Sequence, residues 1–366
     1  MDMNTSNDLE NFEAFPVQLI SVPGGVVLKR GCTEIKIGGE GSQRVIRILL
    51  AATSAHGASK ADLLALFSSE DQPKIEHLID ELLQKRILST CDLSGAQKQG
   101  KETSQEIFYW HFGACIDDIH QRLSKVRLVI LGVNTISRRL AVALHNAGIN
   151  NFKIIDHPHL RKVHLFEASG TLKSGAWPKD LTPPRDLHET LDPEKIDCVV
   201  ATCDFGLSPV VNEFNTWCIE NNRHFFPVIL HNVIGYIGPL VVPGETACFD
   251  CLQARHNSHL LNHADHDALK KVSFEGQHTV GFLPCMSGGL AEFAVMELCK
   301  FYGDLFQPKV GNLIEINLLA PYLISRKVLK IPRCPTCSPL RTRPSVTPNK
   351  SLIKIPDRVL ISREGG

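Results

Sequence analysis

Near the start of the chain, apolar and polar positions alternate in three short runs, VQLISV, GVVLKR and TEIKIG, separated by PGG and GC turns. A period of two between turn residues predicts three short strands. The period then lengthens to that of a helix. SQRVIRILLAAT predicts a helix with Ser42 as its N-cap. SKADLLALFSS predicts a second, in which Ser59 and Asp62 form a capping box. QPKIEHLIDELLQKRIL predicts a third, with Ile75, Leu78, Ile79, Leu82 and Leu83 on one face. These elements, within residues 15–90, describe a small winged-helix-like module. Residues 91–106 are polar and rich in Gly, Ser, Gln and Lys, which reads as a linker. The expected division is residues 1–100 for the module with its linker and residues 107–366 for a second domain.

The second domain opens with a different rhythm. VRLVILG reads as a buried strand, TISRRLAVALHNAGI as a helix and FKIIDH as a second strand, the βαβ unit of a doubly wound sheet. Asp156 closes the second strand, where an acidic side chain accepts hydrogen bonds from a ribose. In such units three glycines usually surround a phosphate, but here the turn carries Gly132, Asn134 and Ser137. Arg138 and Arg139 follow in the first helical turn, where backbone N–H groups attract anions. Taken alone, the segment suits a live nucleotide site and a dead one equally. IDCVVATCDF reads as a later strand ending in Asp204, RHFFPVILHNVIGYIGPLVVPG as more strand, and SGGLAEFAVMELCKFYG as a helix opened by Ser287.

Composition narrows the partners. At 366 residues the chain holds two domains, and its 43% hydrophobic and 21% charged residues are ordinary for a globular protein. Lys+Arg and Asp+Glu are equal at 39 each, so no overall field favours nucleic acid or acidic lipid. The second predicted helix offers only Lys60 beside Asp62, and the third mixes Glu76, Asp80 and Glu81 with its lysines. Neither is basic enough for a DNA-reading helix. A peptide paired to a strand edge or seated beside a helix fits better, with a purely structural module as the alternative. No apolar run approaches the ~20 residues of a membrane span, and the acidic start has no signal-peptide core, so a cytoplasmic protein is expected.

Twelve cysteines are many for a reducing compartment, so their spacing is read for metal before disulfides. Cys115, Cys198, Cys203, Cys218 and Cys299 lie in apolar runs and read as core thiols. Cys248 with Cys251, in CFDC, and Cys334 with Cys337, in CPTC, are two C-x-x-C pairs. Together they suit a closed, structural Cys₄ zinc site, with a redox pair as the alternative.

These residues together resemble the ThiF/MoeB family, the bacterial relatives of ubiquitin-activating enzymes, over residues 107–338. The likeness rests on LVILG, Asp156, GTLKS, ATCDF, the two C-x-x-C pairs and GFLPCMSGGLAEFAVMEL. It implies adenylation of a carboxylate with ATP and Mg²⁺, often by a homodimer. It implies Asp156 as ribose ligand, Lys173 on the ATP phosphates and Asp204 near Mg²⁺, with Gly132, Asn134 and Arg138 at the phosphate turn. His164 and Glu167 stand where the family has an Asn and an Arg, which leaves Arg138, Arg139 or Arg161 to supply the missing charge. A winged-helix-like peptide clamp ahead of such a domain resembles the maturation enzymes of ribosomally made peptide natural products (RiPPs), where the clamp holds a precursor's leader. Microcin C and pantocin A maturation enzymes share this layout. The length and the altered turn incline toward the pantocin type, which implies activation of glutamate side chains and cyclisation. The alternative is a catalytically silent, leader-binding ThiF-like partner of an azoline-forming cyclodehydratase. A zinc-containing transcription regulator is a weaker third.

Four further features have a functional and a plain reading each. His256, His259, His263 and His266 share a helical face and suit a second metal or acid–base work, or else a solvated crossover. Cys285, in LPCMSGG, is a nucleophile near a helix start or a buried small residue. The terminal REGG is a reactive Gly-Gly tail or a disordered end. SLIKI, near the C-terminus, packs back on the sheet or covers the site.

Overall fold

The computed structural model describes residues 11–55, 57–90, 100–186, 191–206, 208–259, 281–305, 310–320 and 322–339. The chain divides into two compact units, Met1–Ile119 and His120–Gly366.

In the first unit, β1 (Asn11–Ala14) pairs antiparallel with two short strands, β5 (Ala58–Ser59) and β6 (Leu88–Ser89). β2 (Gln18–Val22), β3 (Gly25–Arg30) and β4 (Thr33–Gly38) form a second antiparallel sheet, as the alternation predicts. Along β3 the inward positions are Val26, Leu28 and Arg30, each nearly fully buried. α1 (Ser42–Ala55), α2 (Lys60–Ala65) and α3 (Gln72–Gln84) place Ile46, Leu49, Leu63, Ile75, Ile79 and Leu82 in the same core. Ser59 and Asp62 form the expected capping box. Ser42 does not cap α1. The carbonyl of Gly41, at φ +84°, accepts from Val45 N and fills that role, while the Ser42 hydroxyl is buried with no partner among the described residues.

Two helices escaped the periodicity: α4 (Ser104–His111) and α5 (Ile116–Lys125). α4 begins inside the polar stretch, because Thr103 and Glu106 form a capping box there. Its Trp110 joins the core, and Glu102 beside it meets Arg30 at 2.5 Å with both side chains only 3% exposed. The Arg30 guanidinium also lies over the rings of Phe15 and Trp110, at 4.4 and 4.6 Å.

The second unit is built on one mixed sheet of eight strands, in the order β14-β13-β12-β11-β10-β7-β8-β9. The strands β7 (Leu128–Leu131), β8 (Phe152–Asp156), β9 (Arg185–Asp186), β10 (Cys198–Cys203) and β11 (His224–His231) run parallel. The strands β12 (Ile234–Ile237), β13 (Asn312–Asn317) and β14 (Tyr322–Lys327) extend it antiparallel. Among the described residues, α5 runs into this unit and four further helices lie within it: α6 (Thr135–Asn146), α7 (Pro209–Glu220), α8 (Phe249–Ser258) and α9 (Pro284–Tyr302). α9 starts before Ser287, because Pro284 presets its first turn; the Ser287 hydroxyl donates back to Pro284 O. Cys198, Cys203 and Cys218 are core thiols as expected, but Cys115 is exposed and Cys299 only half-buried. From β7 the chain moves to β8 and β9 on one side, then returns to β10 and β11 on the other. The carboxyl ends of β7 and β10 are therefore a topological switch point, where doubly wound sheets bind ligands.

Candidate functional site at the switch point

Gly132 follows β7 and turns at φ +95°. A Cβ there would come within 2.8 Å of Leu160 and 2.9 Å of the Thr202 carbonyl, so only glycine fits. Asn134 then caps α6 and is fully buried. Its Oδ1 accepts from Ile136 N at 3.1 Å and Ser137 N at 3.0 Å. Its Nδ2 donates to Leu160 O, Thr202 O and Thr202 Oγ1 at 3.0–3.2 Å. Thr135 N donates to Asp204 Oδ2 at 3.0 Å, and Asn134 N to Ser137 Oγ at 2.9 Å. The four amides that a helix start ordinarily leaves open are thus all engaged by the protein's own groups. The two residues that replace glycines, Asn134 and Ser137, do most of this.

Asp204 lies just beyond β10 and is 1% exposed. Its Oδ2 accepts from Thr135 N and from Thr135 Oγ1 at 2.5 Å, and Lys162 Nζ lies 3.4 Å away. Its Oδ1 is buried with no hydrogen-bond partner among the described residues. A buried carboxylate oxygen without a donor is costly unless a cation completes it. Lys162 is held over the Phe282 ring at 4.1 Å, its amide bonded to Val133 O. Nothing in the sequence patterns singled out Lys162 or Thr135. Lys162 would have been visible only to a reading that counted basic side chains just after the second strand.

Asp156 closes β8 as expected, and Arg161 grips it with two bonds, Nε–Oδ1 at 2.7 Å and Nη2–Oδ2 at 2.6 Å. Arg161 also stacks on Phe166 at 4.6 Å. That contact supports a short hairpin in which Lys173 N donates to Leu165 O and Glu167 N to Thr171 O. Lys173 ends this hairpin with its side chain exposed and without a partner among the described residues. Arg138 is half-buried and Arg139 exposed; neither has an ion-pair partner among the described residues. His164 and Glu167 are exposed. The structure therefore brings Gly132, Asn134 and Asp204 to one turn, Asp204 bonded to it through Thr135, and leaves Lys173 and Arg138 as cations without an ion-pair partner among the described residues.

His157, next to Asp156, is 7% exposed and accepts from His159 N at its Nδ1. Burial drives its pKa down from 6.5 to about 4, and the nearby His159 and Arg161 add to the effect. It is neutral at physiological pH and packs edge-on against Phe214.

The four cysteines converge. Their sulfurs all lie within 4.8 Å of one another, and Cys248–Cys334 and Cys251–Cys337 are 3.6 and 3.5 Å apart. Tetrahedral zinc with Zn–S near 2.3 Å sets sulfurs about 3.8 Å apart, so the cluster fits such an ion. Ile331 N donates to Cys251 Sγ, a bond that favours the thiolate form. Bound there, zinc would cross-link α8 to the segment after β14. Among the other singled-out residues, α8 ends at Ser258, leaving His256 exposed on it and His259 at its cap. His263, His266, REGG and SLIKI lie outside the described residues. Cys285 is exposed in the first turn of α9, not a buried filler.

No protein-family model matches the chain. Protein HesA of Leptolyngbya boryana is 22% identical over 245 residues, which are 60% of this chain and 80% of HesA. E. coli MccB in complex with MccA-N7isoAsn aligns over 89% of this chain and 99% of its own, at 17% identity and a TM-score of 0.62. MccB with AMPCPP and MccA aligns over the same shares, at 16% identity and a TM-score of 0.61. The heterocyclase TruD aligns over 90% of this chain but 43% of its own, at 19% identity and a TM-score of 0.59. The chain thus has the mixed α/β fold of MccB across nearly its full length, including the unit ahead of the eight-stranded sheet.

Proposed function

We propose that the chain matures a ribosomally made precursor peptide. In this reading residues 1–100 are a winged-helix-like clamp for the leader, and residues 107–366 are a ThiF-like domain that uses ATP and Mg²⁺ to activate a core carboxylate. The carboxylate of choice is a glutamate side chain, as in the pantocin A maturation enzyme PaaA, and the product is a ring closed within the peptide. The observation that carries the reading is Asp204: a buried carboxylate at the switch point, with one oxygen saturated and the other lacking a donor, beside Lys162. A Mg²⁺–nucleotide would complete that oxygen. MccB, whose fold it shares, is known in complex with AMPCPP and MccA.

The chemistry follows from these groups. A carboxylate is a poor acyl donor because oxide must leave; taking an adenylyl group from ATP with loss of pyrophosphate, or a phosphoryl group with loss of ADP, would let AMP or phosphate leave when the core nucleophile attacks. Lys162, Lys173 and Arg138 would neutralise the phosphates from side chains, since the α6 amides are already engaged. Asp156 would meet the ribose. A leader held by the clamp makes attack by the core an intramolecular event. Zinc at Cys248, Cys251, Cys334 and Cys337 would be structural. The same reading makes the protein a cytoplasmic homodimer with no nucleic-acid partner. No helix among the described residues is long and apolar enough to cross a membrane.

One observation favours a second reading. With every open amide of α6 engaged internally, the turn that usually grips phosphate is closed. That suits a silent, leader-binding scaffold for a partner cyclodehydratase. The test incubates the protein with Mg·ATP and a candidate precursor peptide taken from short open reading frames sought beside its gene. Maturation predicts ATP consumption and a mass change in the peptide, both lost in Lys173→Ala and Asp204→Ala. Tight leader binding with no ATP consumed supports the scaffold.

A further inference from the structure

We propose that Asp250 is a positioning residue that joins the cysteine centre to the turn bearing Asp204. The proposal rests on the zinc reading of the four cysteines. Asp250 sits between Cys248 and Cys251 in the first turn of α8. One of its oxygens accepts the hydroxyl of Thr336, which lies between Cys334 and Cys337 and is 2% exposed. The other accepts from Asn212 Nδ2, in the first turn of α7. Asn212 is further held by Gln253 through a reciprocal pair of amide bonds at 2.9 and 3.1 Å. One turn on, the fully buried Asn215 accepts from Phe249 N at 3.0 Å.

α7 needs this support. Its N-cap, Ser208, makes no side-chain cap bond, and the Ser208 hydroxyl is buried without a partner among the described residues. A helix start without a cap frays unless something else holds it. Here the holding groups come from α8, and α8 is held in turn by the cysteines. α7 opens five residues after Asp204. Asp250 therefore acts in two directions: through Thr336 it sets the second cysteine knuckle against the first, and through Asn212 it steadies the chain that carries Asp204. Carboxylates in the outer shell of metal sites act this way on their ligands.

The test uses full-length, zinc-loaded protein and three variants: Asp250→Ala, Thr336→Val and Asn212→Leu. It measures metal content, the rate of zinc transfer to a chromogenic chelator, and backbone hydrogen exchange over residues 204–212. Thr336→Val is expected to release zinc about 10-fold faster and to leave the exchange unchanged. Asn212→Leu is expected to speed the exchange with zinc release near wild type, and Asp250→Ala to do both. If Asp250→Ala fails to fold, the two single-bond variants decide. Wild-type rates in both assays for Thr336→Val and Asn212→Leu, or for a folded Asp250→Ala, overturn the proposal. A wild-type chain without metal overturns the zinc reading beneath it, and the metal assay registers that failure separately.

Discussion

Replacing Asn134 with alanine separates two jobs that its position suggests, ligand for a nucleotide and lock for the turn. The side chain is fully buried and makes bonds with both of its polar atoms. Alanine removes the cap from Ile136 N and Ser137 N, which costs about 1 kcal/mol. It also leaves the carbonyls of Leu160 and Thr202 buried without their donor, at about 1–3 kcal/mol for such a group. With two carbonyls affected, the expected total is at least about 3 kcal/mol. For a unit of this size that corresponds to a melting point lower by about 10 °C. Calorimetric melting of the unliganded protein reads it directly, and Asn134→Ser, which keeps the cap acceptor but not the amide donor, should lose about two-thirds as much. The decisive feature is that the loss appears with no nucleotide present. A change of under 2 °C in the free protein, about the noise of a surface substitution, would refute the claim that Asn134 locks this turn.

Two further predictions rest on buried charge. His157 has its pKa lowered to about 4, against 6.5 unfolded, so stability is full above pH 6.5. It falls by about 3 kcal/mol as pH drops toward 4, because the unfolded chain takes up the proton first. Urea unfolding at pH 7.5 and 4.5 should show a smaller pH loss in His157→Gln than in wild type, and equal losses would contradict the assignment. In the first unit, Glu102→Ala strands the Arg30 guanidinium in the core and should cost about 3 kcal/mol or more, whereas Arg30→Met with Glu102→Leu should recover most of it. Trp110 fluorescence follows both, since Arg30 lies over its ring; a Glu102→Ala cost below 1 kcal/mol would show that the pair is not sealed from water.

Much of this architecture was legible in the sequence because the signals were local. Alternation marked β2 to β4, the Ser59–Asp62 pair marked α2, and the spacing of the four cysteines foretold a cluster that closes only when distant segments meet. What escaped depended on competition between neighbours. Ser42 and Ser287 look like caps, but Gly41 and Pro284 set those helix starts through the backbone. The TSQE box that opens α4 was masked by the polar composition around it. At the switch point, an Asn before a helix reads equally as a weakened phosphate turn and as an N-cap, and only the partners of its amide group tell them apart. Lys162 and Thr135 were invisible because their role exists only once β10 brings Asp204 beside them.

The account centres on a nucleotide being held by side chains around Asp204 at a turn whose amides are closed. Titration calorimetry of Mg·ATP into the purified protein tests this most directly. The account predicts one site per chain in wild type, with the heat lost in Asp204→Ala and strongly reduced in Lys162→Met and Lys173→Ala. A folded, zinc-loaded protein that takes up its leader peptide but gives no heat with Mg·ATP would contradict it, and would leave the scaffold reading in its place.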